Sequence, residues 1–361
     1  MSNIESHFHN STAEINLSAL NHNLEVLKKR IKPGIRQIAV IKANAYGHGA
    51  VRVGHFLKDK VDYFGVCSLQ EAIELREAGI QNNILVFSAP YEKTCWAYKE
   101  YEIDAVISDF HHFDLLKKGT RYHLQFDTGM GRFGFYDYQL SEVLRQVDEH
   151  KELNQIGLMS HFATADDPDS AKVGEQLEKF KDIRSKFAPS VMAHISNTGG
   201  LAYFPEAQFD MVRHGIGMYG YPPGDFQIDD LKPVLTWKSY LVECKPIKRG
   251  MTVSYRSKWV CPENGFLGII PVGYADGLRR NLGEKIKMHI NGKDYPIVGI
   301  ITMDYVMIYC GNDRPPVNSE VIVMGNNGNT AQEWGNLMNS ISYEVLCGIS
   351  TRRVERVYRK Q

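Results

Sequence analysis

Short apolar segments alternate with longer segments of helical periodicity between residues 13 and 235. Apolar side chains three or four positions apart, such as Leu17, Leu20, Leu24 and Leu27, predict amphipathic helices. Short apolar runs rich in β-branched residues predict buried parallel strands. This pattern predicts strands at eight places, which are residues 37–41, 63–67, 83–87, 105–107, 123–126, 156–160, 192–195 and 211–213.

Eight strands with intervening helices over this length are typical of a closed (β/α)8 barrel of the TIM type. An open, doubly wound sheet has the same alternation of strands and helices, so periodicity alone does not separate the two arrangements. The predicted fold class is therefore α/β, with the barrel as the expected form.

The rhythm changes after residue 235, where apolar or alternating segments follow one another without helical partners. Asn291-Gly292 between two such segments indicates a β-hairpin. One helix is predicted at residues 331–338, and the tail SYEVLCGISTRRVERVY is expected to end in a basic strand or extended segment. We therefore predict a barrel domain at residues 13–235 and a mostly β domain at 236–361, with residues 1–12 compatible with packing on the second domain.

Charge and cysteine usage exclude several classes of protein. The chain of 361 residues has 42 Lys plus Arg and 42 Asp plus Glu, so its formal net charge is zero. Such a balance argues against a nucleic acid or an anionic membrane as a partner. The six cysteines are far apart with no CxxC pair, which favours a reducing cytoplasm and no structural metal. Neither a signal peptide nor a membrane-spanning segment is expected.

The strongest local signal is AVIKANAYGHGA at residues 39–50. Lys42 comes at the end of an apolar strand, where a barrel opens toward its functional face. A lysine at a strand end is more often solvated or paired with a carboxylate than catalytic. Desolvation can nevertheless favour the neutral amine that a Schiff-base lysine requires, and the small residues after Lys42 leave room for a flat cofactor.

The segment DTGMGRFG has glycines 129, 131 and 134 in the spacing of a dinucleotide-binding loop. Arg132 and Phe133 crowd this loop, and no acidic ribose ligand ends the next strand, so the glycine pattern is weak support for that function. Arg132 is a candidate for binding a carboxylate through its planar guanidinium. The alternative for Arg132 is a salt bridge to Asp127.

Polar residues follow three further predicted strands, in LMSHFATAD, HISNTGG and MVRHGIGMYG. Each of these is ordinary by itself. Together they place polar side chains at the ends of several strands of one barrel, which is where barrel enzymes build their active sites. The glycine-rich loops after the last two strands are typical of a phosphate-binding position.

These motifs together resemble those of the alanine racemases, which are pyridoxal phosphate (PLP) enzymes of fold type III. KANAYGHG, DTGMGR, HFATAD, Asn197-Thr198, RHGIGMYG, GYADG and Met303-Asp304 occur in the family's order across nearly the whole chain. The resemblance implies a (β/α)8 barrel followed by a β domain. It also implies a homodimer in which the β domain of one subunit completes the active site of the other.

The resemblance implies two catalytic bases. Lys42 would bind PLP covalently and act on the D-alanine side, and Tyr274 of the partner subunit would act on the opposite face. Arg132 and the backbone of Met303 of the partner subunit would bind the alanine carboxylate. The remaining cofactor contacts are implied for Tyr46, His161, Thr198, Arg213, Gly215, Ile216 and Tyr343, and no metal is implied.

The chemistry explains why these residue types are needed. PLP accepts the charge left when the α-proton of alanine is removed, and racemisation requires a proton donor and acceptor on opposite faces. A tyrosine normally keeps its proton at neutral pH, so a link from Tyr274 through His161 to cationic Arg213 is expected to make it a base. The expected role of the product D-alanine is peptidoglycan synthesis.

Two positions depart from the family pattern, and three other functions remain open. Gln125 stands where many members have a lysine that orients the arginine of DTGMGR, and Ile300 stands where an arginine is common. Thr198 keeps the hydroxyl of the usual serine. The alternatives are a broad-specificity amino-acid racemase, a non-catalytic PLP-binding barrel, which would lack the second domain, and a PLP decarboxylase, which Arg213 disfavours.

Overall fold

The computed structural model describes residues 9–325 and 329–360. The chain divides into two compact units. The barrel unit holds Leu20–Ala45 and Gly49–Lys232. The β unit holds the residues up to Ala19, the short segment Tyr46–His48 and the residues from Pro233 onward.

Strands and helices alternate from residue 12 to residue 214. In chain order they are β1 (Thr12–Asn16), α1 (Leu17–Lys28), β2 (Arg36–Val40), α2 (Lys42–Tyr46), α3 (Ala50–Leu57), β3 (Tyr63–Val66), α4 (Leu69–Glu77), β4 (Asn83–Val86), α5 (Trp96–Glu100), β5 (Ala105–Ile107), α6 (His111–Leu115), β6 (Arg121–Gln125), α7 (Leu140–Glu149), β7 (Asn154–Met159), α8 (Ala171–Arg184), β8 (Met192–His194), α9 (Thr198–Tyr203) and β9 (Met211–His214). Short 3-10 turns occupy Asp137–Gln139, Pro205–Ala207 and Ile216–Tyr219.

Strands β2 to β9 form the barrel, and each of the eight predicted strands is confirmed within a few residues. They pair in parallel as β4-β3-β2-β9 and β5-β6-β7-β8. Backbone hydrogen bonds join the two groups, from Val86 N to Asp104 O (3.1 Å) and from Asp210 N to Ala193 O (3.0 Å). The strands therefore close into a barrel, which decides against the open sheet.

Alternate residues of the barrel strands point inward and fill the interior. One apolar cluster takes a buried side chain from each of six strands, namely Ile38, Tyr63, Leu85, Val106, Met159 and Met211. This is the layered filling that closed parallel barrels require, because their interior is a packed core rather than a channel. The barrel thus provides a rigid support for the loops that follow its strands.

The β unit contains β1 and roughly the last third of the chain, from Pro233 onward. Its other elements are β10 (Leu235–Tyr240), β11 (Glu243–Ile247), β12 (Thr252–Val253), β13 (Trp259–Val260), β14 (Gly265–Ile270), β15 (Lys287–Ile290), β16 (Lys293–Pro296), β17 (Val306–Gly311), β18 (Glu320–Met324), α10 (Ala331–Leu337), α11 (Ser342–Cys347) and β19 (Glu355–Arg359). A six-stranded sheet has the order β16-β15-β18-β10-β1-β19, and a three-stranded sheet has the order β11-β14-β17.

The local predictions for this unit are mostly confirmed. Asn291 and Gly292 have φ angles of 50° and 81° and connect β15 to β16 as a hairpin. Helix α10 lies where a helix was predicted, and a capping box between Thr330 and Glu333 begins it. The tail ends in the basic strand β19, as predicted, and the short helix α11, which was not predicted, precedes it. Tertiary burial of Leu346 stabilises this short helix, whose sequence has little helical signal.

The amino-terminal segment adds to the same sheet through β1, which pairs with β10 and β19. Just before β1, the backbone carbonyl of Asn10 accepts a hydrogen bond from the Ser239 hydroxyl at 2.8 Å. The prediction that residues 1–12 pack on the second domain also includes residues 1–8. These lie outside the described residues.

Candidate active site

The first feature of the site is an unusual turn that begins at Lys42, directly after β2. Ala43, Asn44, Ala45 and Tyr46 all have φ angles between 51° and 54°, so α2 is a left-handed turn. For residues with a Cβ atom this conformation costs roughly 1–2 kcal/mol each. Consecutive residues in so strained a conformation persist only where surrounding contacts enforce it, and such strain is concentrated at functional sites.

Side chains from neighbouring segments hold this left-handed turn. The Glu71 carboxylate accepts from the backbone N–H of Ala43 (2.5 Å) and also from the backbone N–H groups of Cys67 and Ser68. The Asn44 side chain accepts from Ala50 N at 2.7 Å. Sequence reasoning missed the role of Glu71, although Ser68 and Glu71 have the spacing of a capping box.

Arg213, on β9, is buried at the base of the site. Its Nη atoms donate to Nδ1 of His194 (2.6 Å), to Nδ1 of His161 (3.1 Å), and to the carbonyls of Ser160 (2.8 Å) and Ile195 (2.7 Å). Burial, with a smaller effect from Arg132, lowers the pKa of Arg213 to about 9. The guanidinium is therefore cationic at neutral pH and held in one orientation.

His161 lies within electrostatic range of three cations. Burial lowers its pKa well below the usual range, and the charges of Arg213, Arg132 and Lys42 lower it further. The imidazole is therefore neutral, and since Nδ1 accepts from Arg213, its proton is on Nε2. The structure thus places four predicted site residues, Lys42, Arg132, His161 and Arg213, in one positively charged cluster.

The predicted phosphate ligands of the barrel unit also come together. The Thr198 hydroxyl accepts from the backbone N–H of Gly215 at 3.0 Å. Ile216 begins the 3-10 turn that follows. Asn197 caps the short helix α9 by accepting from Gly200 N at 2.9 Å. These contacts place one hydroxyl and two helical-turn N-termini beside each other, a combination that suits an anion.

The glycine-rich loop before Arg132 is organised by Asp127. The Oδ1 atom of Asp127 accepts from the backbone N–H groups of Gly129, Met130 and Gly131, and its Oδ2 atom accepts from that of Arg132 at 2.8 Å. Partial burial raises the pKa of this carboxyl, but the four donors lower it more, so the net pKa is below the usual range.

The alternative of a salt bridge between Arg132 and Asp127 is therefore not observed in the described part of the chain. Asp127 binds the backbone of Arg132, so the exposed guanidinium of Arg132 is left for another partner. Gln125 does not accept from Arg132 either. Its amide donates to the carbonyl of Phe133 at 3.1 Å, so it supports the loop rather than the guanidinium.

In the β unit, the loops that carry Tyr274 and Met303 are bound to each other. Tyr274 N donates to the carbonyl of Thr302, and Ala275 N donates to that of Met303, both at 3.0 Å. A Cβ atom on Gly273 would lie 2.2 Å from the Met303 carbonyl oxygen, so this close approach requires glycine. The side chains of Tyr274 and Met303 are 44% and 52% exposed.

Two ion pairs made by one arginine also connect the loops that carry Tyr274 and Met303. Arg353 donates to Asp276, three residues after Gly273, at 2.8 Å and to Asp304 at 2.7 Å. The second oxygen of Asp276 accepts from Gly273 N at 2.8 Å. Arg353 and Asp276 were not foreseen as site residues, because 77 positions separate them in the chain.

The remaining two predicted residues, Tyr46 and Tyr343, also meet in the β unit. Their ring centroids are 5.8 Å apart, and Tyr343 lies on α11. Gly47, which continues the left-handed turn with a φ of 81°, allows this approach, because a Cβ atom there would lie 2.5 Å from the carbonyl oxygen of Leu346.

Comparisons with known proteins agree over the whole chain. Residues 15–223 match the alanine racemase N-terminal domain family, and residues 234–358 match the alanine racemase C-terminal domain family. An alanine racemase of Treponema denticola is 36% identical over 96% of this chain and 97% of its own length. One of Streptococcus gordonii is 35% identical over 97% of this chain and 98% of its own.

Solved structures give the same result. An alanine racemase of Clostridium difficile 630 superposes with a TM-score of 0.92 at 32% identity, covering 98% of this chain and 96% of the other. The alanine racemase of E. faecalis superposes with a TM-score of 0.93 at 32% identity, covering 98% of this chain and 99% of the other.

Proposed function

Because the chain belongs to the alanine racemase family, we propose that it interconverts L- and D-alanine with Lys42 and Tyr274 as its two bases. The protein is an isomerase that depends on PLP. The observation that carries the proposed site is the positively charged cluster of Lys42, Arg132, His161 and Arg213. A dianionic phosphate and a substrate carboxylate would balance its charge.

The residues of the barrel unit fit PLP. All side-chain hydrogen bonds of Arg213 within the described part of the chain come from its Nη atoms, which leaves the Nε–H as the donor for a pyridine nitrogen. Thr198, Gly215 and Ile216 would hold the phosphate, with Tyr46 and Tyr343 as further contacts. When bound, PLP withdraws electrons from the α-carbon of the substrate, so that its proton can be removed.

Two bases are required because one group cannot reach both faces of the α-carbon. Lys42 Nζ would take the α-proton on one face while the hydroxyl of the partner's Tyr274 would supply a proton on the other, and the roles would reverse for the opposite direction. His161, whose Nδ1 accepts from Arg213, would use its Nε2–H to stabilise the oxygen of the partner's Tyr274. The substrate carboxylate would bind Arg132 and the backbone of the partner's Met303.

The identity of Arg213 favours reprotonation over other PLP reactions. Arginine donates hydrogen bonds but does not readily release a proton, so a ring nitrogen facing it stays unprotonated. A weaker electron sink delocalises the charge less and favours simple return of the proton to the α-carbon. This argument disfavours the decarboxylase, and the second unit with Tyr274 disfavours a non-catalytic barrel.

We infer a homodimer with shared active sites as the working form. The exposure of Tyr274 and Met303, on loops that their own subunit holds rigidly, suits residues presented to a partner.

No helix in the described part of the chain is long and apolar enough to cross a membrane. The dispersed free cysteines support a cytoplasmic location, where D-alanine would serve peptidoglycan synthesis.

The reaction is tested by incubating the purified protein and PLP with L-alanine in deuterated water. We expect loss of optical activity together with deuterium at the α-carbon. Absence of both would overturn the racemase proposal. L-serine and L-lysine, tested in parallel, distinguish an alanine-specific enzyme from a broad-specificity racemase.

The shared site is tested by mixing inactive variants. Lys42→Ala and Tyr274→Ala homodimers are each expected to be inactive, and subunit exchange between them would restore up to one complete site per mixed dimer. Each variant alone, carried through the same exchange procedure, is the control. No recovery of activity, with exchange demonstrated by tagged subunits, would refute the shared arrangement.

A further inference from the structure

The interior of the barrel contains an unexpected row of polar side chains. Asp104, directly before β5, His123 on β6 and His194 on β8 are each fully buried, and Arg213 on β9 follows them. Barrel interiors are normally filled by branched apolar side chains. Buried polar groups are costly unless they are paired, so a continuous row of them requires a reason.

The hydrogen bonds in this row can run in only one direction. Arginine has no acceptor, so Nδ1 of His194 must accept from Arg213 Nη1. A neutral imidazole with an accepting Nδ1 has its proton on Nε2. Nε2 of His194 therefore donates to Nδ1 of His123 at 3.1 Å, and His123 in turn has its proton on Nε2.

Asp104 lies at the far end of this row. Its Oδ1 atom accepts from Arg121 Nε at 2.5 Å, and its Oδ2 atom faces Nε2 of His123 at 3.9 Å. Within the described residues, neither Oδ2 nor that nitrogen has a hydrogen-bond partner. A carboxylate at this distance stabilises the His123 tautomer whose proton is on Nε2. Arg213, at the other end of the row, requires the same tautomer.

A glycine in a neighbouring strand leaves space for the His123 ring. A Cβ atom on Gly157 of β7 would lie 2.4 Å from Nδ1 of His123, so only glycine leaves space for that imidazole. Burial lowers the pKa of His123 to about 3, and burial also lowers that of His194 well below the usual range. Both rings are therefore neutral and can transmit orientation without adding charge beside Arg213.

We propose that Asp104, His123 and His194 are positioning residues, a buried relay that fixes both the histidine tautomers and the orientation of Arg213. The relay determines where the Arg213 Nε–H points, although none of its three members reaches the ligand. The role parallels that of the aspartate that holds a catalytic histidine in one tautomer. This inference rests on the proposed contact between Arg213 and the cofactor.

The relay is tested by 15N NMR of the holoenzyme labelled in its histidine rings. In the natural protein we expect the proton on Nε2 of both His123 and His194, assigned with His→Gln variants. In Asp104→Asn, the amide can donate to His123, so a population with the proton on Nδ1 should appear. We expect kcat to fall roughly 10- to 100-fold, the range of orienting partners at metal sites, with a smaller change in KM.

Asp210→Asn is the matched control, because Asp210 accepts from Ala193 N on β8 at 2.7 Å but lies outside the relay. It should leave the tautomers and kcat unchanged. If Asp104→Asn does not fold, the test uses His123→Asn instead, because its amide oxygen keeps an acceptor for His194. The 15N signals of His194 and kcat are then measured in that variant. A proton on Nδ1 of either histidine in the natural protein would overturn the relay.

Unchanged tautomers and kcat in a folded Asp104→Asn would overturn it as well. The NMR result does not depend on turnover, so it separates failure of the relay from failure of the racemase proposal.

Discussion

The carboxylate of Asp127 offers a direct test of how the substrate arginine is positioned. In Asp127→Asn, the amide oxygen can replace Oδ1 and keep the hydrogen bonds from Gly129, Met130 and Gly131. The amide nitrogen then replaces Oδ2 and faces the backbone N–H of Arg132, which is also a donor. The substitution therefore disrupts the loop specifically at the residue that would bind the alanine carboxylate.

The expected magnitude follows from the bond that is lost. A hydrogen bond to a charged acceptor contributes about 1.5–3 kcal/mol, which corresponds to roughly 10- to 150-fold in binding. Because Arg132 is exposed, water replaces part of the lost hydrogen bond. We therefore expect an effect at the lower end of this range, which is about a tenfold rise in KM for alanine. Because this contact binds substrate and transition state alike, kcat should change less.

The control is Asp137→Asn, which removes a carboxylate that accepts from Tyr138 N at 2.8 Å in the neighbouring turn. Thermal unfolding of both variants shows whether the fold is retained. If Asp127→Asn is folded and its KM and kcat stay within twofold of the natural values, Asp127 does not position Arg132 and the reasoning is refuted.

A pH titration tests the same contact independently. The native pKa of Asp127 is lowered, so its stabilisation of the loop is fully present above the unfolded value of about 3.9 and is lost as the pH falls through the lower native value. The amide signal of Gly131 should therefore titrate with a midpoint below about 3.9. In Asp127→Asn this titration should be absent.

Three further predictions concern other parts of the site. Gly273→Ala should destabilise the protein by about 1–3 kcal/mol or more in denaturant unfolding, because its Cβ would overlap the facing loop, whereas Gly174→Ala on α8, with open space around it, should be neutral or slightly stabilising. Arg353→Gln should speed hydrogen exchange in the two loops it bridges, since it leaves buried Asp276 without its cation; unchanged exchange would contradict the bridge. Arg213→Glu should raise the ratio of pyruvate, formed by transamination, to racemised alanine, and an unchanged ratio would contradict the argument about the ring nitrogen.

Local patterns in the sequence were sufficient to predict most of the secondary structure. The eight barrel strands and the hairpin at Asn291-Gly292 follow from hydrophobic periodicity and turn chemistry, which act between residues close in the chain. The short helix α11 was missed, because six residues have little intrinsic helical stability and burial of Leu346 decides its conformation.

The alanine racemase motifs in the sequence indicated the reaction and the cofactor, and they supplied the residues that we propose perform it. Only the tertiary structure decided how those residues are supported. Asp104, His123, His194 and Arg213 are far apart in the chain, and their row exists because a closed barrel turns alternate positions of different strands toward one interior. Sequence periodicity reports which side chains are buried, whereas the partner of each buried polar group depends on strand register and closure, which no local pattern records.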